Sequence, residues 1–230
     1  LTMSGLVTDI ALSGSYAYVT VGDAGLQIVD VSDPAKASLQ SASFNTPGYA
    51  EAVAVVGTVA YVADGASGVR AIDVSKPQTE LKELGSYDSP SPWWTTDIMV
   101  VSGKAYVSWA DFDAESGGVA VLNVSTPSSP TRISPVDLET VAGEPRGVFV
   151  KDNIAYVACG GSGLHVIDES TPTSPSELGY VDTPSYAYSV TVSGTNAFVA
   201  DGGSGLQIID VSVPASPSIV CCKDTAKEAN

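Results

Sequence analysis

Phe198-Val-Ala-Asp-Gly-Gly-Ser-Gly-Leu-Gln-Ile-Ile-Asp-Val-Ser-Val-Pro214 is one copy of a pattern that recurs along the chain, and the recurrence decides the fold. Tyr18 to Pro34 reads YVTVGDAGLQIVDVSDP, Tyr61 to Pro77 reads YVADGASGVRAIDVSKP, and Tyr156 to Pro172 reads YVACGGSGLHVIDESTP. Tyr106 to Pro127 is a longer, looser copy, which makes five. The alanines that open the copies, Ala17, Ala60, Ala105, Ala155 and Ala197, are 43, 45, 50 and 42 residues apart. Such a period belongs to the blades of a propeller or to a helical array. Apolar residues alternate over short runs, as at Val53 and Val55 or Leu206 and Ile208, and Gly, Pro, Ser and Asp interrupt every few residues. Alternation with frequent turns spells strands.

The expected fold is therefore all-β, a five-bladed β-propeller with four antiparallel strands per blade. In the second unit the strands fall at Ala52 to Val56, Ala60 to Ala63, Val69 to Val74 and Leu81 to Tyr87. The whole chain reads as one domain, with repeats at about 5–48, 49–92, 93–145, 146–186 and 187–224 and a tail at 225–230. Its first strand is expected near Leu6 to Leu12, beside the blade that ends at Ser218 to Lys223, so that a ring closes by packing of blades one and five; terminal edges left open would instead invite self-assembly. Pro34, Pro77, Pro127, Pro172 and Pro214 lack an N–H to donate and end each third strand. Asp30, Asp73, Asp168 and Asp210, with Asn123 in the third unit, precede that turn and can accept its N–H groups.

Leu26-Gln-Ile-Val-Asp-Val-Ser-Asp-Pro34 and Leu206-Gln-Ile-Ile-Asp-Val-Ser-Val-Pro214, after a Tyr-Val-Ala-Asp-Gly type turn, resemble the LVIVD repeat family. The resemblance extends over all five units, the third departing by its insertion and by Asn123. It implies a β-propeller of secreted or cell-surface microbial proteins, generally without an assigned reaction.

Charge narrows the partners. The net charge of −16 repels nucleic-acid backbones and anionic membranes, and no apolar run approaches the length of a membrane helix. An acidic, Gly- and Ser-rich chain fits a secreted or cell-surface setting. Cys159, Cys221 and Cys222 match neither a disulfide framework nor a zinc site.

Loops entering the innermost strands and loops between second and third strands share one face of a propeller, the expected site. There the repeat diverges: Leu6, Tyr49, Trp94, Glu144 and Tyr186 are equivalent, as are Thr8, Glu51, Thr96, Arg146 and Tyr188. Tyr49, Trp93, Trp94, Tyr186 and Tyr188 could stack on a carbohydrate, grip a protein, or fill a narrow channel. Arg146, beside Glu144, could clamp a carboxylate or neutralise its neighbours. Asp64 and Asp201 add carboxylates to the same face. In the third unit's insertion, Asp111, Asp113 and Glu115 alternate in a pattern that can fold around calcium. Asn123-Val-Ser125 meets the N-glycosylation pattern.

Enzyme chemistry is not expected. His165, the sole histidine, sits in a third strand at the position matching Gln27 and Gln207, and no nucleophile elbow or phosphate loop occurs. The expected function is a non-catalytic binding or scaffolding module. The alternatives are a structural subunit of a surface layer or filament, and a glycan-active enzyme using Glu51, Asp64, Glu144 and Asp201.

Overall fold

The computed structural model describes residues 2–133 and 141–225, with 141 and 142 as backbone only. Most of the expected tail, 226–230, lies outside the described residues. Strands dominate, and they fall into five antiparallel sheets. The first holds β1 (Asp9–Ser13), β2 (Tyr16–Thr20), β3 (Leu26–Asp30) and β4 (Ser38–Phe44) in that order. The second holds β5 (Ala52–Val56), β6 (Val59–Ala63), β7 (Val69–Lys76) and β8 (Glu80–Tyr87). In the third, β9 (Trp94–Val101), β10 (Lys104–Asp111), β11 (Ser116–Asn123) and β12 (Thr131–Arg132) are joined by β13 (Val141–Ala142), which pairs with β11. The fourth holds β14 (Gly147–Lys151), β15 (Ile154–Ala158), β16 (Leu164–Asp168) and β17 (Ser176–Val181). The fifth holds β18 (Ser189–Ser193), β19 (Asn196–Ala200), β20 (Leu206–Asp210) and β21 (Ser218–Lys223). Each is a blade of a five-bladed β-propeller fold. No described helix is long and apolar enough to cross a membrane.

By their contacts the residues group into two compact units, Leu1–Val107 with Leu122–Arg132, and Ser108–Val121 with Ile133–Asn230. One of the expected elements is corrected. β1 starts at Asp9, not Leu6, because Leu6 to Thr8 occupy the approach that Tyr49 to Glu51 occupy before β5. Among the described residues, β12 and β13 pair with opposite ends of β11 at the third blade's outer edge.

The repeat builds each blade the same way. Asp30, Asp73, Asp168 and Asp210 each accept the N–H of the serine two residues on, at 2.8–2.9 Å. Asn123 does the same for Ser125 at 3.0 Å. A short side-chain acceptor at this place closes the turn without a backbone partner, which is why Asp and Asn exchange there. One position further into each third strand's pairing, four of the blades shift register by a bulge, as at Ala71/Ile72 and Val166/Ile167. The bulge adds twist to the outer strand.

Blades pack face to face through the two sides of the repeat. Within the first unit, Tyr18, Leu26 and Ile28 of one blade meet Val53, Ala60, Val62 and Ile72 of the next. Tyr61, Val69 and Ala71 meet Ile98, Ala105, Val107 and Leu122 in the same way. In the second unit, Tyr156, Leu164 and Val166 meet Val190, Ala197, Val199 and Ile209. Each fully buried aliphatic side chain in such a seam stabilises the fold by about 1.5–3 kcal/mol. The turn of the following blade also presses on the outer strand. A Cβ on Gly85 would lie 2.6 Å from the Ser128 backbone, and one on Gly179 2.8 Å from that of Ala215.

Candidate functional site

The seams end in the loops expected to carry a site. The loop after β6 pairs with the chain entering the next blade through the bridge Gly65 to Thr95, and Gly22 to Ala50 and Gly160 to Ala187 repeat it. Gly65 has φ 55° and lies under the Trp94 ring, so that a Cβ there would stand 2.8 Å from the indole. Tyr49 covers Gly22 and Tyr186 covers Gly160 in the same manner. The aromatic residues before the innermost strands are thus seated on the preceding blade's glycine. A side chain is excluded beneath them by sterics as well as by backbone conformation.

Asp64 and Asp201 are placed differently from expectation. Both are fully buried and turned into the protein. Asp64 accepts the Gly48 N–H at 2.8 Å, and Asp201 accepts the Ser185 N–H at 3.1 Å and the Thr183 hydroxyl at 2.7 Å. They anchor two copies of one short motif, Thr46-Pro-Gly-Tyr49 and Thr183-Pro-Ser-Tyr186, and so hold the tyrosines in place rather than face a ligand. Burial, more than any partner, raises the Asp64 carboxyl above the usual range, against the pull of Thr46, Gly48 and the Arg70 guanidinium at 3.7 Å. Arg70 also donates to the Ser67 carbonyl at 2.6 Å, as Gln207 does to that of Ser204 at 3.0 Å. That position in the third strand roots the loop. His165 occupies it in the fourth blade, buried, stacked on Tyr180 and with Nδ1 2.6 Å from Glu177.

The remaining expected residues form one cluster in each unit. In the first, Trp94 Nε1 donates to Glu51 at 2.8 Å and its ring lies 6.2 Å from Tyr49. Trp93 carries the Arg132 guanidinium 4.9 Å from its ring centre.

The second cluster is richer. Arg146 Nη2 donates to Glu144 at 2.8 Å, Arg146 Nε donates to the Tyr186 hydroxyl at 2.9 Å, and that hydroxyl donates to Glu144. The guanidinium lies between two rings, 4.5 Å from the centre of Phe112 and 5.5 Å from that of Tyr186. Tyr188 continues the row at 4.8 Å from Tyr186 and is 54% exposed. A guanidinium between aromatic faces gains cation–π attraction while its edge donates to Glu144 and Tyr186. The Tyr186 hydroxyl, followed by Arg146, keeps the Glu144 carboxyl below its ordinary range although partial burial opposes this. Burial and the Glu144 contact raise the Tyr186 phenol. Beside the row opens a cavity of about 540 Å³ lined by Glu115, Gly143, Glu144, Gly161, Ser162 and Tyr186.

Phe112 carries a role that sequence reasoning gave it none of. Its hairpin carries Asp111, Asp113 and Glu115, whose alternation can fold around calcium, and the structure does not gather them as ligands. Asp111 Oδ1 accepts the N–H of Asp113 at 3.1 Å and of Ala114 at 3.2 Å, closing a tight turn. Among the described residues no three acidic, histidine or cysteine side chains gather as metal ligands would. Asn123 is exposed, its side-chain oxygen engaged in the turn.

Five four-stranded blades built on one repeat, with aromatic loops at the blade seams, define a repeat propeller. The sequence model of the LVIVD repeat matches residues 4–46, 47–89, 142–183 and 184–225, and the chain belongs to that family. The match covers four of the five units; the third, with its insertion, is left out. A search of the curated proteins finds no significant match. Among solved structures, a protein from Lactobacillus plantarum is similar with a TM-score of 0.79 at 19% identity, over 95% of this chain and 71% of that one. The computationally designed Ika8 protein is similar with a TM-score of 0.70 at 14% identity over 95% of this chain, which spans 61% of Ika8's length. The designed Ika4 protein follows with a TM-score of 0.54 at 14% identity, over 72% of this chain and 92% of that one. At these identities the likeness is one of fold.

Proposed function

We propose that this chain is a non-catalytic recognition module, working outside the cell or at its surface, that binds an oligosaccharide along the row Phe112, Arg146, Tyr186 and Tyr188. The observation that carries this reading is the row itself: three rings and a guanidinium in stacking order, its Tyr188 end more than half exposed. Such a surface suits the C–H face of a pyranose, while Glu115, Glu144 and Ser162 along the adjoining cavity accept its hydroxyls. Glu144, paired with Arg146 and held below the ordinary carboxyl range first by the Tyr186 hydroxyl, does not suit the general acid of a glycosidase.

A glycan array probed with the wild type and with Tyr188→Ala tests the reading. Tyr188 is exposed, so its loss leaves the fold intact. The expected result is a set of glycans retained by the wild type and lost by the variant; no glycan retained by the wild type would sink it.

A further inference from the structure

Among the described residues, the charged walls of the cavity beside the Tyr186 row are both carboxylates. They belong to Glu115, at the turn of the β10–β11 hairpin, and to Glu144, on the approach to β14. Glu144 commits one oxygen to its internal partners: Oε2 accepts from both Arg146 Nη2 and the Tyr186 hydroxyl. Its Oε1 is engaged by neither. Arg146 answers the Glu144 charge at 2.8 Å. Glu115 is exposed, with φ at 49° where the hairpin reverses, and forms no ion pair among the described residues.

The other walls are the Tyr186 ring, Ser162, Gly143 and Gly161. Gly161 holds the loop position of Asp23 in the first blade and Ala66 in the second, and its φ is not positive. A Cβ there would meet nothing within 4 Å, so a side chain at 161 has room on a residue that lines the cavity. Gly143 is packed instead, since a Cβ there would lie 2.5 Å from the Cys159 carbonyl oxygen and 2.7 Å from Ser162 Oγ.

An unneutralised carboxylate beside an aromatic wall selects a cation. An ammonium group gains a charge-assisted hydrogen bond to the carboxylate and a cation–π contact with the ring, whereas a uronic acid would meet like charge. The net charge of −16 acts in the same sense at longer range. We infer that the oligosaccharide held along this row carries free amino groups, a glucosamine-type sugar rather than its N-acetylated form or a uronic acid polymer, with its ammonium groups paired to Glu115 and to Glu144 Oε1. This rests on the binding reading above and adds the chemical class of the ligand.

Calorimetric titration with trisaccharides of glucosamine, N-acetylglucosamine and galacturonic acid, at one ionic strength and a pH where the amine is charged, tests it. The wild type is expected to bind the glucosamine sugar about tenfold or more tightly than its acetylated form, and the acid least. Glu115→Gln, and Gly161→Lys, which adds a cation on the cavity wall, are each expected to cut that preference to about threefold or less. Glu80→Gln removes the same unit of charge from an exposed residue of β8 and is expected to leave the preference unchanged, which separates the cavity from the bulk charge. Equal binding of the amine and its acetylated form, or a preference for the acid, would overturn the inference. So would a preference that survives Gly161→Lys with wild-type circular dichroism, or one that Glu80→Gln removes equally. A wild type that retains other glycans on the array but does not bind the glucosamine sugar overturns this inference and leaves the binding reading standing; a wild type that retains no glycan overturns both.

Discussion

Gly57 and Gly65 both have positive φ, 61° and 55°, yet they differ in what stands over them. Nothing lies within 4 Å of a Cβ on Gly57, while a Cβ on Gly65 would press on Trp94. Chemical denaturation is therefore expected to show a loss of about 1 kcal/mol for Gly57→Ala, the backbone cost alone. For Gly65→Ala it is expected to show about 2–4 kcal/mol, since the indole must also move. Equal losses would place the aromatic seat outside the energetics of the fold. The turn aspartates give a pH signature. Asp73, Asp168 and Asp210 are held below the usual carboxyl range first by the serine N–H two residues on, and Asp30 first by the hydroxyl of Ser32. A folded value below the unfolded one means that their contribution is complete above about pH 4 and is lost as pH falls through the folded values. Asp73→Asn, copying Asn123, is expected to flatten the fall of melting temperature below pH 4 while changing it little at pH 7. The capping role of these residues could be read from sequence, because it depends only on neighbours two positions away. The roles of Asp64 and Asp201 could not. Their donor partners lie 16 to 18 residues off, and only the repetition of Thr-Pro-x-Tyr hinted at them.

Among elements, the second blade follows its pattern within one or two residues at almost every strand end, since each strand is bounded by Gly, Pro or an Asp-x-Ser turn. The third blade does not. Its insertion lengthens the hairpin between β10 and β11 beyond the repeat. Alternating acids in that insertion read as calcium ligands because spacing records neither direction nor the backbone N–H groups that Asp111 satisfies. Melting temperature is expected to stay the same with calcium or with chelator; a shift on chelation would reopen the site. The hairpin's part in the account is Phe112, which covers one face of Arg146. Phe112→Ala is expected to weaken oligosaccharide binding by roughly 3- to 10-fold, the scale of a cation–π contact of about 0.5–1 kcal/mol with the stacking area lost beside it. Stability should change little, since the ring is 39% exposed.

For the whole molecule, the blade count could be read from the recurring Ala-Tyr-Val and Leu-x-Ile patterns, which also set both faces of the seams within each unit. The partition of the divergent loop residues into a Glu51, Tyr49 and Trp94 cluster and a Glu144, Arg146, Tyr186 and Tyr188 cluster could not. It depends on which side chains lean together, and equivalent positions in a repeat carry no such information. The central claim is that recognition resides in the second cluster. Calorimetric titration of an oligosaccharide retained on the array, against wild type, Tyr188→Ala and Trp94→Ala, tests this most directly. The account predicts at least tenfold weaker binding for Tyr188→Ala and unchanged affinity for folded Trp94→Ala. Unchanged affinity for Tyr188→Ala, or equal losses in both variants, would contradict it.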